Sequence, residues 1–98
     1  MGFAAARMGD NDITHCSPMV RSQGSGNVFV NGRPWSRQGD NNTVHLLPGG
    51  RYCGAHAAGI TLGSSSVFVN GMGAGSVGDA ISGCTAVSTG SENVFIGK

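Results

Sequence analysis

A nine-residue phrase recurs along this 98-residue chain. Gly24-Ser25-Gly26-Asn27-Val28-Phe29-Val30-Asn31-Gly32 returns as Gly63-Ser64-Ser65-Ser66-Val67-Phe68-Val69-Asn70-Gly71. It returns again, altered at its end, as Gly90-Ser91-Glu92-Asn93-Val94-Phe95-Ile96-Gly97-Lys98. A Gly-Asp pair recurs beside it, at Gly9-Asp10, Gly39-Asp40 and Gly78-Asp79. The interval from Gly24 to Gly39 and that from Gly63 to Gly78 are both 15 residues, whereas the stretches from each Gly-Asp to the next Gly-Ser vary in length. A fixed unit alternating with variable loops is the signature of a repeat architecture.

The fixed unit reads as a β-hairpin. Val-Phe-Val is a strong strand former, and Asn-Gly is the preferred two-residue type I′ turn, whose central residues both need φ > 0. The first return strand is Arg33 to Gln38, where Pro34 calls for an edge or non-bonding position. The third unit has no return strand, and the N-terminus supplies one: Gly2 to Asp10 aligns without gaps on Gly32 to Asp40. The first and last strands are therefore expected to pair and close a ring with pseudo-three-fold symmetry, which also covers two strand edges. The six residues Phe3 to Met8 lie between glycines and are too short for a stable helix. The expected fold is all-β, a single domain over residues 1–98.

Composition narrows the function. Charged residues are 11% of the chain and the formal net charge is +1. The six Lys and Arg are dispersed, so there is no basic stripe for nucleic acid. Apolar runs are far shorter than the ~20 residues of a membrane-spanning helix, and residues 1–10 lack the pattern of a secretory signal. So little charge leaves a surface that a partner is expected to cover in part. A domain this small often relies on a metal or a disulfide for stability. Three cysteines, Cys16, Cys53 and Cys84, argue against a complete disulfide framework and leave one bridge plus one free thiol as the alternative.

The repeat points to a metal. Five residues after Asp10, Asp40 and Asp79 stand His15, His45 and Cys84. In a closed three-fold arrangement these positions meet near the axis. Three ligands leave one tetrahedral position, and His56 in the longest loop, Asn41 to Leu62, is the natural fourth. One cysteine and three histidines form a closed, structural zinc set, with no open position for a catalytic water. Cys16, next to His15, and Cys53, three residues before His56, are alternative donors, and iron is an alternative metal. The recurring aspartates read as turn residues that bond backbone N–H groups ahead of them. Neither a nucleophile elbow nor a phosphate-binding loop is present, and no catalytic residue is expected.

The repeat and the ligand positions together resemble the PAAR-repeat proteins, named for a Pro-Ala-Ala-Arg stretch. Pro34-Trp35-Ser36-Arg37 matches that stretch at both ends, and Ala4-Ala5-Ala6-Arg7 matches at its last three positions. Gly73-Ala74-Gly75-Ser76 keeps one Ala and departs at the Arg. The resemblance implies a short cone of hairpins with a zinc near its point. It also implies a function: capping and sharpening the trimeric β-helical spike of a contractile injection machine, either a phage tail baseplate or a type VI secretion apparatus, one monomer per trimer. The family's metal pattern of three His and one Cys falls on His15, His45, His56 and Cys84. Transient contact with the target membrane follows, and no enzyme activity is implied for a chain that stops at Lys98. Val28, Val30, Val67, Val69, Val94 and Ile96 are expected to divide between a thin core and the docking base. Two other readings are an adaptor that tethers effectors, with loop 41–62 as the contact, and a zinc hydrolase.

Overall fold

The computed structural model describes residues 2–14, 18–49, 52–82 and 85–97, with the backbone alone over 45–49 and 52–56. The described residues are all-β, with no helix. Strands β1 (Phe3–Ala4), β2 (Phe29–Val30), β3 (Arg33–Pro34), β4 (His45–Gly49), β5 (Tyr52–His56), β6 (Phe68–Val69), β7 (Met72–Gly73) and β8 (Phe95–Ile96) form four antiparallel two-stranded ladders.

Two of these ladders are the hairpins of the repeated phrase. Phe29 pairs with Pro34 and Val30 with Arg33; likewise Phe68 pairs with Gly73 and Val69 with Met72. Their turns have φ of 54° at Asn31 and 77° at Gly32, and 53° at Asn70 and 79° at Gly71. Positive φ at both central residues is the type I′ geometry, which matches the twist of the strands it joins. The third ladder joins the chain ends as expected: Phe3 pairs with Ile96 and Ala4 with Phe95.

Beyond these short ladders, backbone hydrogen bonds run in cycles from one unit to the next. Ala6 N donates to Gly75 O, Gly75 N to Ser36 O and Ser36 N to Ala6 O, all at 2.9 Å. Met8 N donates to Pro34 O, Gln38 N to Gly73 O and Val77 N to Ala4 O, again at 2.9 Å. The first set uses a single residue position and the second one donor and one acceptor position, each taken from all three units. A strand pair of two residues is too small to persist alone; here each is held by bonds to both of its neighbours. The molecule measures 40 × 24 × 24 Å, with equal widths across its long axis.

The core is thin and layered. Ala6, Ala58, Ile60, Ile81 and Val87 form one buried cluster, with Val77 packed against it. Val69, Ala74 and Ile96 form a second, flanked by Val28, Trp35 and Val67. The Val-Phe-Val runs alternate as a strand must. Val30, Val69 and Ile96 point inward at 3%, 3% and 7% exposure, and Phe29, Phe68 and Phe95 point outward at 55%, 60% and 56%. The six aliphatic residues expected to divide between core and docking base are therefore all buried or half-buried. The outward apolar positions of the repeated strands are phenylalanines. The one aromatic ring beside the bonded ring of Ala6, Ser36 and Gly75 among the described residues is that of Trp35, whose Nε1 donates to Gly75 O at 2.9 Å.

Candidate metal centre and the layers that support it

Each Gly-Asp pair starts a loop, and its aspartate is buried. Asp10 Oδ2 accepts from Arg7 N at 2.7 Å and Arg7 Nε at 2.9 Å, and Oδ1 accepts from Arg7 Nη2 at 3.0 Å. Asp40 repeats this with Arg37, at 2.8, 2.8 and 3.1 Å. Asp79 Oδ2 accepts from Ser76 N at 2.8 Å. The turn role expected of these aspartates is present, but its direction is reversed. Each carboxylate reaches back three residues, across a glycine held at φ 89°, 86° or 94°. Only glycine adopts that backbone without strain. The hydrogen bond to Asp10 pushes Arg7 above the ordinary guanidinium range, and that to Asp40 does the same for Arg37.

The arginines also reach outward. Arg7 Nη1 donates to Asn31 Oδ1 and Arg37 Nη1 to Asn70 Oδ1, each at 3.0 Å. Those turn asparagines accept from Ser91 Oγ and Ser25 Oγ, both at 2.6 Å. Each serine also caps the strand behind it: Ser25 Oγ accepts from Val28 N at 2.9 Å and Ser91 Oγ from Val94 N at 3.0 Å. At the third junction the arginine position is Ser76 and the asparagine position is Gly97. Both partners are replaced together there, and Ser64 Oγ donates to Gly97 O instead, at 3.0 Å. Sequence reasoning assigned this relay no role, although the Arg three residues before each of two aspartates was its visible trace.

Past the aspartates the three loops converge. Gly9 N donates to Arg21 O at 2.8 Å, Gly39 N to Ile60 O and Gly78 N to Val87 O at 2.9 Å. Arg21 bridges to Asn42, Ile60 to Ile81 and Val87 to Asp12, so each loop pairs with the next around a closed circuit. Side chains from two loops meet directly, with Asn42 Nδ2 donating to Asp12 Oδ2 at 3.0 Å. A last cycle follows: Ile13 N to Ala86 O at 2.9 Å, Thr43 N to Val20 O at 2.8 Å and Ser82 N to Gly59 O at 3.0 Å. The predicted ligands His15, His45 and Cys84 stand two residues beyond Ile13, Thr43 and Ser82.

His15 and Cys84 lie outside the described residues, as does the alternative donor Cys16. His45 opens β4 and His56 closes β5, and the two stand directly opposite in the ladder. Direct cross-strand partners lie on the same face of their ladder. Cys53 pairs with Pro48, further along the same ladder. Among the described residues no group of three His, Cys, Asp or Glu side chains gathers to hold a metal. In donor chemistry, three imidazoles and one thiolate would suit a tetrahedral zinc.

One charged pair in this region was not foreseen from the sequence. Arg21 Nη2 lies 3.2 Å from Asp12 Oδ2, with both side chains at 0% exposure. Arg21 Nη1 donates to Asp40 O at 3.1 Å. No family model matches this chain, and no curated protein matches it.

Proposed function

We propose that this protein is a PAAR-like spike tip: a pseudo-three-fold cone that caps the trimeric β-helical spike of a contractile injection machine, with a structural zinc near its point. The observation that carries the reading is the cyclic bonding of three equivalent units, closed through the paired chain ends. A single chain with that symmetry can engage all three subunits of a trimer through equivalent contacts. Phe29, Phe68 and Phe95 occupy one position of the repeat and are exposed. They offer three apolar anchors of the kind that dominates protein interfaces.

The metal would be held by His15, His45, His56 and Cys84 and would tie the three loops together without catalysing a reaction. A zinc of this type supplies folding free energy to a domain with little core. Residence on a phage tail baseplate or a type VI secretion apparatus, and brief contact with the target membrane, follow from the same assignment. A second reading, an adaptor that also carries effectors, draws on the inequality of the loops. The one running from Asn41 to Leu62 has a five-pair ladder of its own, His45–Gly49 with Tyr52–His56.

The test is co-purification with a trimeric spike and reconstruction of the complex. One chain should seat on each trimer, and Phe29→Asp, Phe68→Asp and Phe95→Asp together should abolish retention while the fold persists. Retention of the triple variant at parental level would remove the phenylalanine face from the interface. Failure of any such spike to hold the parent chain would remove the capping function.

A further inference from the structure

The repeat sets three residues at one depth of the loop circuit. Asp12, Asn42 and Ile81 each stand three residues before a proposed ligand: His15, His45 and Cys84. The two loops that lead to histidine carry a polar side chain at this depth, and the loop that leads to cysteine carries an aliphatic one. The facing positions, bonded in the same way to the three Gly-Asp turns, are Arg21, Ile60 and Val87. In the unit of Cys84 the pair is therefore Ile81 with Val87, both within one apolar cluster. In the unit of His15 the same two positions hold a fully buried ion pair.

The fold does not require that ion pair, because its own third copy is built with two aliphatic side chains. Desolvating two charges where apolar packing would serve lowers stability, so a buried pair points to another role. Zinc chemistry provides one. A histidine that binds metal through one ring nitrogen presents an N–H at the other, and that group is oriented by an acceptor, most often a carboxylate. A thiolate carries no N–H and has no such need. The polar and apolar choices along the repeat follow this division.

We propose that Asp12 is the outer-sphere carboxylate of the zinc site, accepting the free ring N–H of a histidine ligand and setting its tautomer. Arg21 and Asn42 hold that carboxylate: Arg21 Nη2 is ion-paired with Oδ2 at 3.2 Å, and Asn42 Nδ2 donates to it at 3.0 Å. Arg21 is itself anchored on the carbonyls of Asp40 and Ala58, at 3.1 and 3.4 Å. Asp12 is thus a positioning residue, and the assignment rests on the metal reading above.

The experiment copies the chain's own apolar solution into the first unit. The double variant Asp12→Ile with Arg21→Val reproduces the Ile81–Val87 pair. Stripped of metal with a chelator, it should melt at or above the temperature of the equally stripped parent. Its zinc affinity, measured by competition with a chromogenic chelator, should fall about 10- to 100-fold. Asp12→Asn retains an acceptor but loses the charge, and should weaken zinc binding by a smaller factor. Zinc affinity within about two-fold of the parent's in both variants would overturn the role of Asp12 and leave the metal site standing. A parent chain that binds no zinc would overturn both.

Discussion

Asp40 shows how one side chain organises a loop start in this protein. Its carboxylate satisfies the backbone N–H of Arg37 and two guanidinium N–H groups from a position only 7% exposed. Asp40→Ala leaves the part-buried amide of Arg37 unpaired and should cost about 1–3 kcal/mol. In a domain of this size, each kcal/mol lowers the melting temperature by about 4–8 °C. Arg37→Ala removes the other half of the pair but leaves the carboxylate bonded to the backbone, so its melting temperature should fall less. Equal losses from the two variants would show that the ion pair, not the turn, carries the stability. Arg37 thus acts as a clamp on the turn and on the neighbouring asparagine. The sequence displayed the Arg-to-Asp spacing, but not the backward reach of the carboxylate. That reach is set by the positive φ of the intervening glycine.

At the scale of elements, two-residue strands persist because the cycles of backbone bonds join them. Gly32 and Gly75 separate the two ways a glycine is needed. Gly32 has φ 77° and open space where a Cβ would stand, so Gly32→Ala should cost only the left-handed backbone penalty, about 1–2 kcal/mol. A Cβ at Gly75 would lie 2.5 Å from Ser36 O, inside the central ring. Gly75→Ala should therefore destabilise more than Gly32→Ala, as read by chemical denaturation of both variants. The reverse order would mean that the ring is not what unites the ladders. Both Asn-Gly turns were legible in the sequence because a type I′ turn is a local property of two residues. The inward and outward sides of Val-Phe-Val were not, because alternation gives two faces without saying which one meets the axis.

For the whole molecule, closure through the chain ends makes a direct prediction about hydrogen exchange. The amides of Ala5 and Ala6, close to the N-terminus, donate to Val94 O and Gly75 O at 3.0 and 2.9 Å. They should exchange as slowly as those of Ser36 and Gly75, whereas free ends would exchange at once. The zinc assignment predicts one metal per chain by elemental analysis and a large fall in melting temperature on chelation. Cys84→Ser should weaken zinc binding more than Cys16→Ser does, and the opposite order would move the thiolate to Cys16.

The amino-acid sequence by itself determined the repeat, the hairpin turns, the pairing of the chain ends and the common offset of His15, His45 and Cys84 from the Gly-Asp pairs. All of these are periodic or local, so identity and spacing are enough to read them. Only the tertiary structure decided that Phe29, Phe68 and Phe95 face outward, that each aspartate reaches back to its own turn, and that Arg21 lies buried against Asp12. These outcomes depend on which side chains from distant parts of the chain arrive at one place together. An arginine and an isoleucine at equivalent positions look unrelated along the chain, and they become alternatives only where three loops share one interior.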